Sequence, residues 1–170
     1  GKIKGSALNN DNVLIENCTI TNTNDTASKT EGCNNVTYQN CIVSHFGKDG
    51  LKIQSKDDVA VRHSVISNCS ATSKFLGRWD GTANFIITGS LEATIDSCYS
   101  SCTEEERLVY IEKGWKDIIV GTSNVGAVKT ININNNYCDC NGVHAFVGLS
   151  GSLRLSNNYL KTPAGINLSG

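Results

Sequence analysis

The chain has 170 residues, a formal charge of −1 from 15 basic and 16 acidic residues, eight Cys, one Pro and no Met. This length fits one domain, and the balanced charge lacks the basic stripe of a nucleic-acid-binding protein. The apolar runs are too short for a transmembrane helix, and no secretory signal opens the chain. Because the sequence starts abruptly at Gly1, we expect a fragment or processed piece of a longer protein.

Small polar and β-branched residues dominate the composition. There are 20 Asn, 17 Ser and 14 Thr, and Val and Ile total 27 against 11 Leu and 9 Ala. Helical proteins depend on Leu and Ala, whereas Val, Ile and Thr favour strands, and Asn, Ser and Gly favour turns. The composition therefore predicts an all-β protein with many turns.

An eight-residue pattern recurs along the chain: apolar, any, apolar, any, Asn-like, small, any, apolar. Its copies start at positions 13, 36, 59, 93, 131 and 153, so the intervals are 23, 23, 34, 38 and 22 residues. The alternation predicts short strands that bury one face. Apolar pairs eight and six residues before a copy predict a further strand; they are Leu51 with Ile53, Phe85 with Ile87, and Ala145 with Val147, and a similar pair, Ile166 with Leu168, lies in a following coil.

A unit of this size buries its apolar side only by stacking on its neighbours. The repeat therefore predicts a right-handed single-stranded parallel β-helix, a solenoid of about six to seven coils of 22–23 residues. Residues 1–170 form one domain in this prediction, with loop insertions at about 70–82 and 103–122. The Asn-like column, a predicted corner of left-handed backbone, contains Asn17, Asn40, His63, Ser97, Asn135 and Asn157.

The cysteines are predicted to be structural. Cys18, Cys41 and Cys98 share the small-residue column, and Cys138 falls in an inward apolar column, where a thiol behaves as a small hydrophobe. A disulfide between Cys69 and Cys102 is compatible with their places in adjacent coils. No C-x-x-C motif occurs, so we predict no metal site and no cofactor.

The layout resembles the pectate-lyase-like superfamily of right-handed parallel β-helices. Its members include polysaccharide lyases, polygalacturonases, uronan epimerases and bacteriophage tailspikes. The phrase Gly47-Lys48-Asp49-Gly50-Leu51-Lys52-Ile53 looks like a standard coil of such proteins. Their catalytic motifs match poorly here: Asp49-Gly50 and Gly142-Val143-His144 resemble parts of the polygalacturonase series, but they lie several coils apart and Arg154-Leu155-Ser156 lacks the Lys.

The two insertions are the predicted place of function, because departures from a regular scaffold carry binding residues. Both Trp residues lie there, and indole rings stack on the C–H faces of sugars while Arg and carboxylates bind hydroxyls. The predicted substrate-binding residues are Arg78, Trp79 and Trp115. The alternative is that Trp79 and Trp115 only hold their own loops on the rod.

A glycosidase needs two carboxylates across the scissile bond. Asp80 with Glu104 or Glu105 is the predicted catalytic set, since loops of adjacent coils lie together. Asp57-Asp58 beside Arg62 is the fainter candidate for a lyase. The residues leave open whether the protein is an enzyme, and if it is, the resemblance implies a polysaccharide depolymerase.

The resemblance implies a bacteriophage tailspike, or a similar virion tail appendage, that binds and in one variant degrades host cell-surface polysaccharide. Such proteins are commonly homotrimers, and no nucleic-acid partner and no membrane insertion are expected. One alternative is a secreted, extracellular bacterial lyase or glycoside hydrolase. Another is a non-catalytic structural or adhesin module.

Overall fold

The strands wind into stacked coils, each of which contributes one strand to each of three parallel sheets. The computed structural model describes residues 2–4, 12–56, 60–73, 83–121, 129–146, 151–162 and 164–169. Six coils have all three strands, and a last strand starts a seventh. The predicted right-handed parallel β-helix of six to seven coils is confirmed.

The nineteen strands of the described residues are numbered in chain order, and every pairing between these strands is parallel. Sheet A contains β1 (Lys2–Lys4), β4 (Ser28–Glu31), β7 (Leu51–Gln54), β10 (Ala83–Thr88), β13 (Lys116–Gly121), β16 (Val143–Phe146) and β19 (Ile166–Ser169). Sheet B contains β2 (Asn12–Glu16), β5 (Asn35–Gln39), β8 (Val61–Ser67), β11 (Ser90–Asp96), β14 (Thr130–Asn134) and β17 (Ser152–Ser156). Sheet C contains β3 (Thr19–Thr23), β6 (Ile42–Phe46), β9 (Ser70–Thr72), β12 (Tyr99–Ser101), β15 (Tyr137–Cys138) and β18 (Tyr159–Leu160).

The interior of the coil is one continuous apolar core. Alternate residues of each strand point inward, so that residues such as Ile53, Ile95 and Ile133 are fully buried. Each fully buried aliphatic side chain contributes about 1.5–3 kcal/mol. Tyr38 also points inward, and its hydroxyl is hydrogen-bonded to Ser28 Oγ at 2.9 Å and Thr30 Oγ1 at 2.7 Å, which satisfies its polar end.

The predicted copies of the eight-residue repeat agree with the structure in five coils, and the predicted copy in the third coil is wrong. Val36 pairs with Ser64 and not with Val59, so the copies start at 13, 36, 64, 93, 131 and 153. Ser64 occupies an inward position because its hydroxyl donates to Ser90 Oγ at 2.9 Å, so a buried serine replaces the expected apolar residue. This substitution concealed the true register of the third coil.

The Asn-like corner exists, with one correction. His63 was wrongly placed in it; Asn68 holds that position, and His63 lies on the outer face of sheet B with Nδ1 2.8 Å from a Glu92 carboxylate oxygen. The corner residues all adopt left-handed backbone, with φ between 49° and 55°. They are Asn17, Asn40, Asn68, Ser97, Asn135 and Asn157.

The small-residue column is a row of four thiols continued by two amides. Cys69 lies between Cys41 and Cys98 in this column, and Cys41 N donates to Cys69 Sγ at 3.4 Å. The sequence left a Cys69–Cys102 disulfide open, and the structure does not contain it, since all eight thiols are free. In the coil after Cys98 this position is occupied by Asn136, whose Oδ1 accepts a hydrogen bond from Cys98 N at 2.9 Å.

Sheet A confirms the predicted inward pairs except one. In the sixth coil the pair is Val143 with Ala145, two residues earlier than expected, because Val143 pairs with Ile118. The following pair, Ile166 with Leu168, continues these two columns as predicted. In the part of the chain that the structure describes, no helix is long and apolar enough to cross a membrane.

Candidate functional site

Three of the six predicted site residues, Arg78, Trp79 and Asp80, lie outside the residues that the structure describes, as do Asp57 and Asp58. The other three, Glu104, Glu105 and Trp115, lie in or beside one helix.

The second insertion contains a helix, α1 (Glu104–Lys113), which leaves the rod after β12. Thr103 caps its N-terminus in a capping box with Glu106, and Gly114 ends it with φ +70°. Three Glu in the first turn and a Lys in the last complement the helix dipole. The sequence signal was Thr103-x-x-Glu106. The insertion was predicted without this helix, and residues 116–121 at its end are the regular core strand β13.

Trp115 anchors this helix to the rod. The residue is only 8 % exposed, and its ring meets that of Tyr110 edge-to-face with ring centroids 5.5 Å apart. Tyr110, Trp115 and Cys140 form a small second cluster of buried residues. This placement fits the alternative in which Trp115 holds its own segment, and its contact with a sugar stays a prediction.

The predicted catalytic glutamates are exposed on the first turn of α1. The Glu104 carboxylate is held by Arg107, with Nη1 and Oε2 2.6 Å apart. Arg107 also binds Asp139 through Nη2 at 2.7 Å, and Lys161 Nζ lies 3.7 Å from the same Asp139 oxygen. Glu105 is exposed beside this cluster. The pairing of either glutamate with Asp80 stays a prediction.

A buried carboxylate ties the coil that follows α1 to the next one. Asp117 is fully buried, and its oxygens accept hydrogen bonds from the backbone N–H groups of Cys140 (3.0 and 3.1 Å), Asn141 (2.7 Å) and Gly142 (2.6 Å). Its Oδ1 also lies 2.5 Å from Ser100 Oγ. Every donor that points at this carboxylate is therefore satisfied inside the corner.

The network extends from Ser100 to the helix. Asn84 Nδ2 donates to Ser100 Oγ at 2.7 Å, and Tyr110 donates its hydroxyl to Asn84 Oδ1 at 2.6 Å. Asn141 Nδ2 donates to the carbonyls of Tyr110 (3.0 Å) and Trp115 (2.7 Å). These residues fix the direction in which α1 leaves the rod, so they act as support for the surface around it.

Burial raises the pKa of Asp117 above its ordinary value, and the hydrogen bonds from Ser100 and the backbone offset only part of this rise. A carboxyl with a raised pKa binds its proton more tightly in the folded state, so it contributes most to stability below the unfolded-state pKa, about 3.9. That contribution is lost as pH rises through the folded-state pKa. The neutral Asp117→Asn variant has no such titration.

We therefore expect the stability advantage of the wild type over Asp117→Asn to fall as pH rises from about 4 towards neutrality. Urea unfolding of both proteins across this pH range measures the difference directly. A constant difference would show that Asp117 titrates alike in the folded and unfolded chains.

The outer face of sheet C carries a ladder of three stacked tyrosines, Tyr99, Tyr137 and Tyr159. Successive ring centroids are 4.8 and 5.2 Å apart, and the rings are nearly parallel, at 12° and 13°. Tyr99 is 47 % exposed and Tyr159 is 59 % exposed. Desolvation raises the pKa of Tyr137, and the Asp139 carboxylate adds to the rise, so this hydroxyl stays protonated at neutral pH.

Hydroxyl groups flank the tyrosine ladder on the same face. Thr72 Oγ1 and Ser101 Oγ lie 3.1 Å apart in neighbouring strands, and Ser44 Oγ donates to Thr21 Oγ1 at 3.1 Å two coils below. Beyond them, Arg107 and Asp139 bring charge to the edge of the face. Aromatic rings and hydroxyls are thus exposed together, beside a mostly buried carboxylate–guanidinium pair.

Sequence reasoning missed this ladder, although its signal was present. Each tyrosine is the seventh residue of its copy of the repeat, directly after the small-residue column. In-register stacking places such residues above one another at the strand spacing, about 4.8 Å. Among the described residues, no group of three His, Cys, Asp or Glu is arranged to hold a metal ion.

Three sheets, a continuous interior and in-register corner columns define the molecule as a parallel β-helix. A family model described as a right handed beta helix region matches residues 6–170, and the chain belongs to this family. No curated protein and no solved structure gives a significant match.

Proposed function

We propose that this β-helix is a polysaccharide-binding module and that it binds its glycan along the outer face of sheet C. The observation that carries the proposal is the exposed ladder of Tyr99, Tyr137 and Tyr159. Tyrosine combines an apolar ring with a hydroxyl at its outer end. A row of them offers both the apolar contact and the hydrogen bonds that a sugar chain requires.

The ladder suits a chain that runs along the rod. Because the rings stack on one another, their edges and hydroxyls face outward and repeat every 4.8–5.2 Å. The same contact is therefore offered at successive coils, as a repeating polymer demands. The Arg107–Asp139 ion pair at the edge of the face is mostly buried, so it supports the face and leaves the sugar contacts to the tyrosines and the neighbouring hydroxyls.

The finer proposal follows the superfamily resemblance: a bacteriophage tailspike or similar virion appendage, homotrimeric, that recognises host cell-surface polysaccharide. Its depolymerase variant would use Asp80 with Glu104 or Glu105. A secreted lyase or hydrolase and a non-binding structural rod are the competing functions. A trimer in sedimentation supports the appendage, whereas a monomer that releases unsaturated uronate supports the lyase.

We expect the combined variant Tyr99→Ser, Tyr137→Ser, Tyr159→Ser to lose binding to an array of bacterial surface polysaccharides by more than about tenfold, since each aromatic contact is worth about 0.5–1.5 kcal/mol. Leu14→Ser, at a residue 58 % exposed on sheet B, is the matched control and should bind as the wild type does. Unfolding curves check that each variant is folded. Full binding by the tyrosine variant would contradict the proposal.

A further inference from the structure

The tyrosine ladder stops at the third coil, where its column contains a serine. From the first coil to the sixth this column reads Thr19, Ile42, Ser70, Tyr99, Tyr137 and Tyr159. Ser70 is a small residue between two large exposed ones: Ile42 is 52 % exposed and Tyr99 is 47 % exposed. The column therefore has a gap one residue wide on the outer side of Ser70, between Ile42 and Tyr99, which we call the notch.

The size of this notch follows from the strand spacing. Ile42 and Tyr99 lie two strands apart, about 9–10 Å. A flat ring in contact with both walls needs two carbon–carbon contact distances, about 7–8 Å. The remaining space accommodates the pucker and axial hydrogens of a six-membered sugar ring. One face of the Tyr99 ring stacks on Tyr137, and its other face looks into the notch.

Hydrogen-bonding groups stand at both sides of the notch. Thr72 lies two residues along the same strand, with its hydroxyl 3.1 Å from Ser101 Oγ. On the other side is Asn68, the exposed corner residue of the third coil. Asn68 and Thr72 are both exposed and belong to the same coil as Ser70.

The side-chain hydrogen bonds made by the corner asparagines to the neighbouring coil are also interrupted at this coil. Below it, Asn40 Nδ2 donates to Asn17 Oδ1 at 3.3 Å, and above it Asn135 Nδ2 donates to Asp96 Oδ1 at 2.9 Å. Within the described parts of the chain, no side-chain hydrogen bond joins Asn68 to either segment. The Asn68 amide is thus available at the same coil that lacks the aromatic ring.

We propose that the notch formed by Ile42, Asn68, Ser70, Thr72 and Tyr99 is a subsite that binds one uncharged pyranose ring. The C–H face of the sugar stacks on Tyr99, its other face meets Ile42, and its hydroxyls bond to Asn68, Ser70 and Thr72. All five residues are uncharged, which favours a neutral sugar over a uronate. This subsite rests on the proposed polysaccharide-binding function and specifies where one unit of the glycan is held.

The test fills the notch without disturbing the fold. Ser70→Tyr adds a ring of the kind already stacked in the next three coils, so the variant should fold and leave no room for a sugar. Thr19→Tyr makes the same change in the same column, on the far side of Ile42, and leaves the notch open. Neutral oligosaccharides retained on the array by the wild type serve as probes, with titration calorimetry as the measurement.

We expect Ser70→Tyr to bind these probes at least about tenfold more weakly than the wild type, and Thr19→Tyr to bind within about twofold. Affinity should hold between low salt and about 0.5 M salt, because screening acts only on charges. Saturation transfer in NMR should be strongest at the C–H protons of one ring.

The failures are distinguishable. If the wild type retains no glycan, the proposed function falls and the subsite with it. If the wild type binds and Ser70→Tyr binds equally well, the function stands and the subsite is wrong. A steep loss of affinity with salt, or retention of acidic glycans alone, would overturn the assignment to a neutral sugar.

Discussion

Asp117→Ala is expected to destabilise the protein by about 3–5 kcal/mol, because it leaves buried donors without an acceptor. The variant removes the oxygens that accept from the backbone of Cys140, Asn141 and Gly142 and that bond to Ser100. No water-exposed route replaces them, since Asp117 is fully buried. The loss should also loosen α1, which Asn141 connects to the same corner.

Urea unfolding at neutral pH measures this change. Asp117→Asn is the graded comparison, since its amide keeps one oxygen acceptor and can donate to Ser100, and it should lose less stability than the alanine variant. Glu105→Ala, at an exposed site on α1, should stay within about 0.5 kcal/mol of the wild type. Equal stabilities for Asp117→Ala and Glu105→Ala would mean that the network carries no energy.

Gly142→Ala is expected to cost about 2–4 kcal/mol, from two effects that add. Gly142 has φ +79°, in the left-handed region that disfavours a side chain. A Cβ there would also lie 2.1 Å from the backbone oxygen of Gly165 in the next coil. Because the contact is with backbone and the coils are in register, relief requires moving a whole coil.

Gly114→Ala separates the two effects. Gly114 has a similar φ of +70°, but a Cβ there meets nothing within 4 Å. Its loss should therefore be only the conformational cost, about 1 kcal/mol. Thermal unfolding of the two variants gives the difference, which is the steric cost of the coil contact. If both variants lose the same stability, the close approach of Gly142 and Gly165 is unimportant.

The fold was predictable because every coil of the stack requires apolar residues at the same inward positions and a corner residue at the same place. Alternation in copies such as Val13-Leu14-Ile15 and Ile131-Asn132-Ile133 gave the strands, and the recurring Asn gave the corner. The predicted register of the third coil was wrong because the burial of Ser64 depends on a hydrogen bond to Ser90. A pattern of hydrophobicity does not predict a hydrogen bond to a residue in another coil.

The candidate site was less predictable for a related reason. An indole ring such as that of Trp115 is suited to stacking on a sugar. Whether it faces solvent depends on its packing against Tyr110 of α1. The polar interior around Asp117 joins residues from different coils and has no sequence signature. The tyrosine ladder was readable in principle, because Tyr99, Tyr137 and Tyr159 occupy the same place in the repeat.

Helix α1 leaves the stack at a corner and returns without altering it. On either side of the excursion the pairing is unbroken: Tyr99 pairs with Tyr137, and Phe85 pairs with Ile118. The pairing of the strands thus does not depend on the segment that is inserted between them. Such an insertion can therefore be replaced, or change its length, during evolution while the β-helix that carries it stays the same.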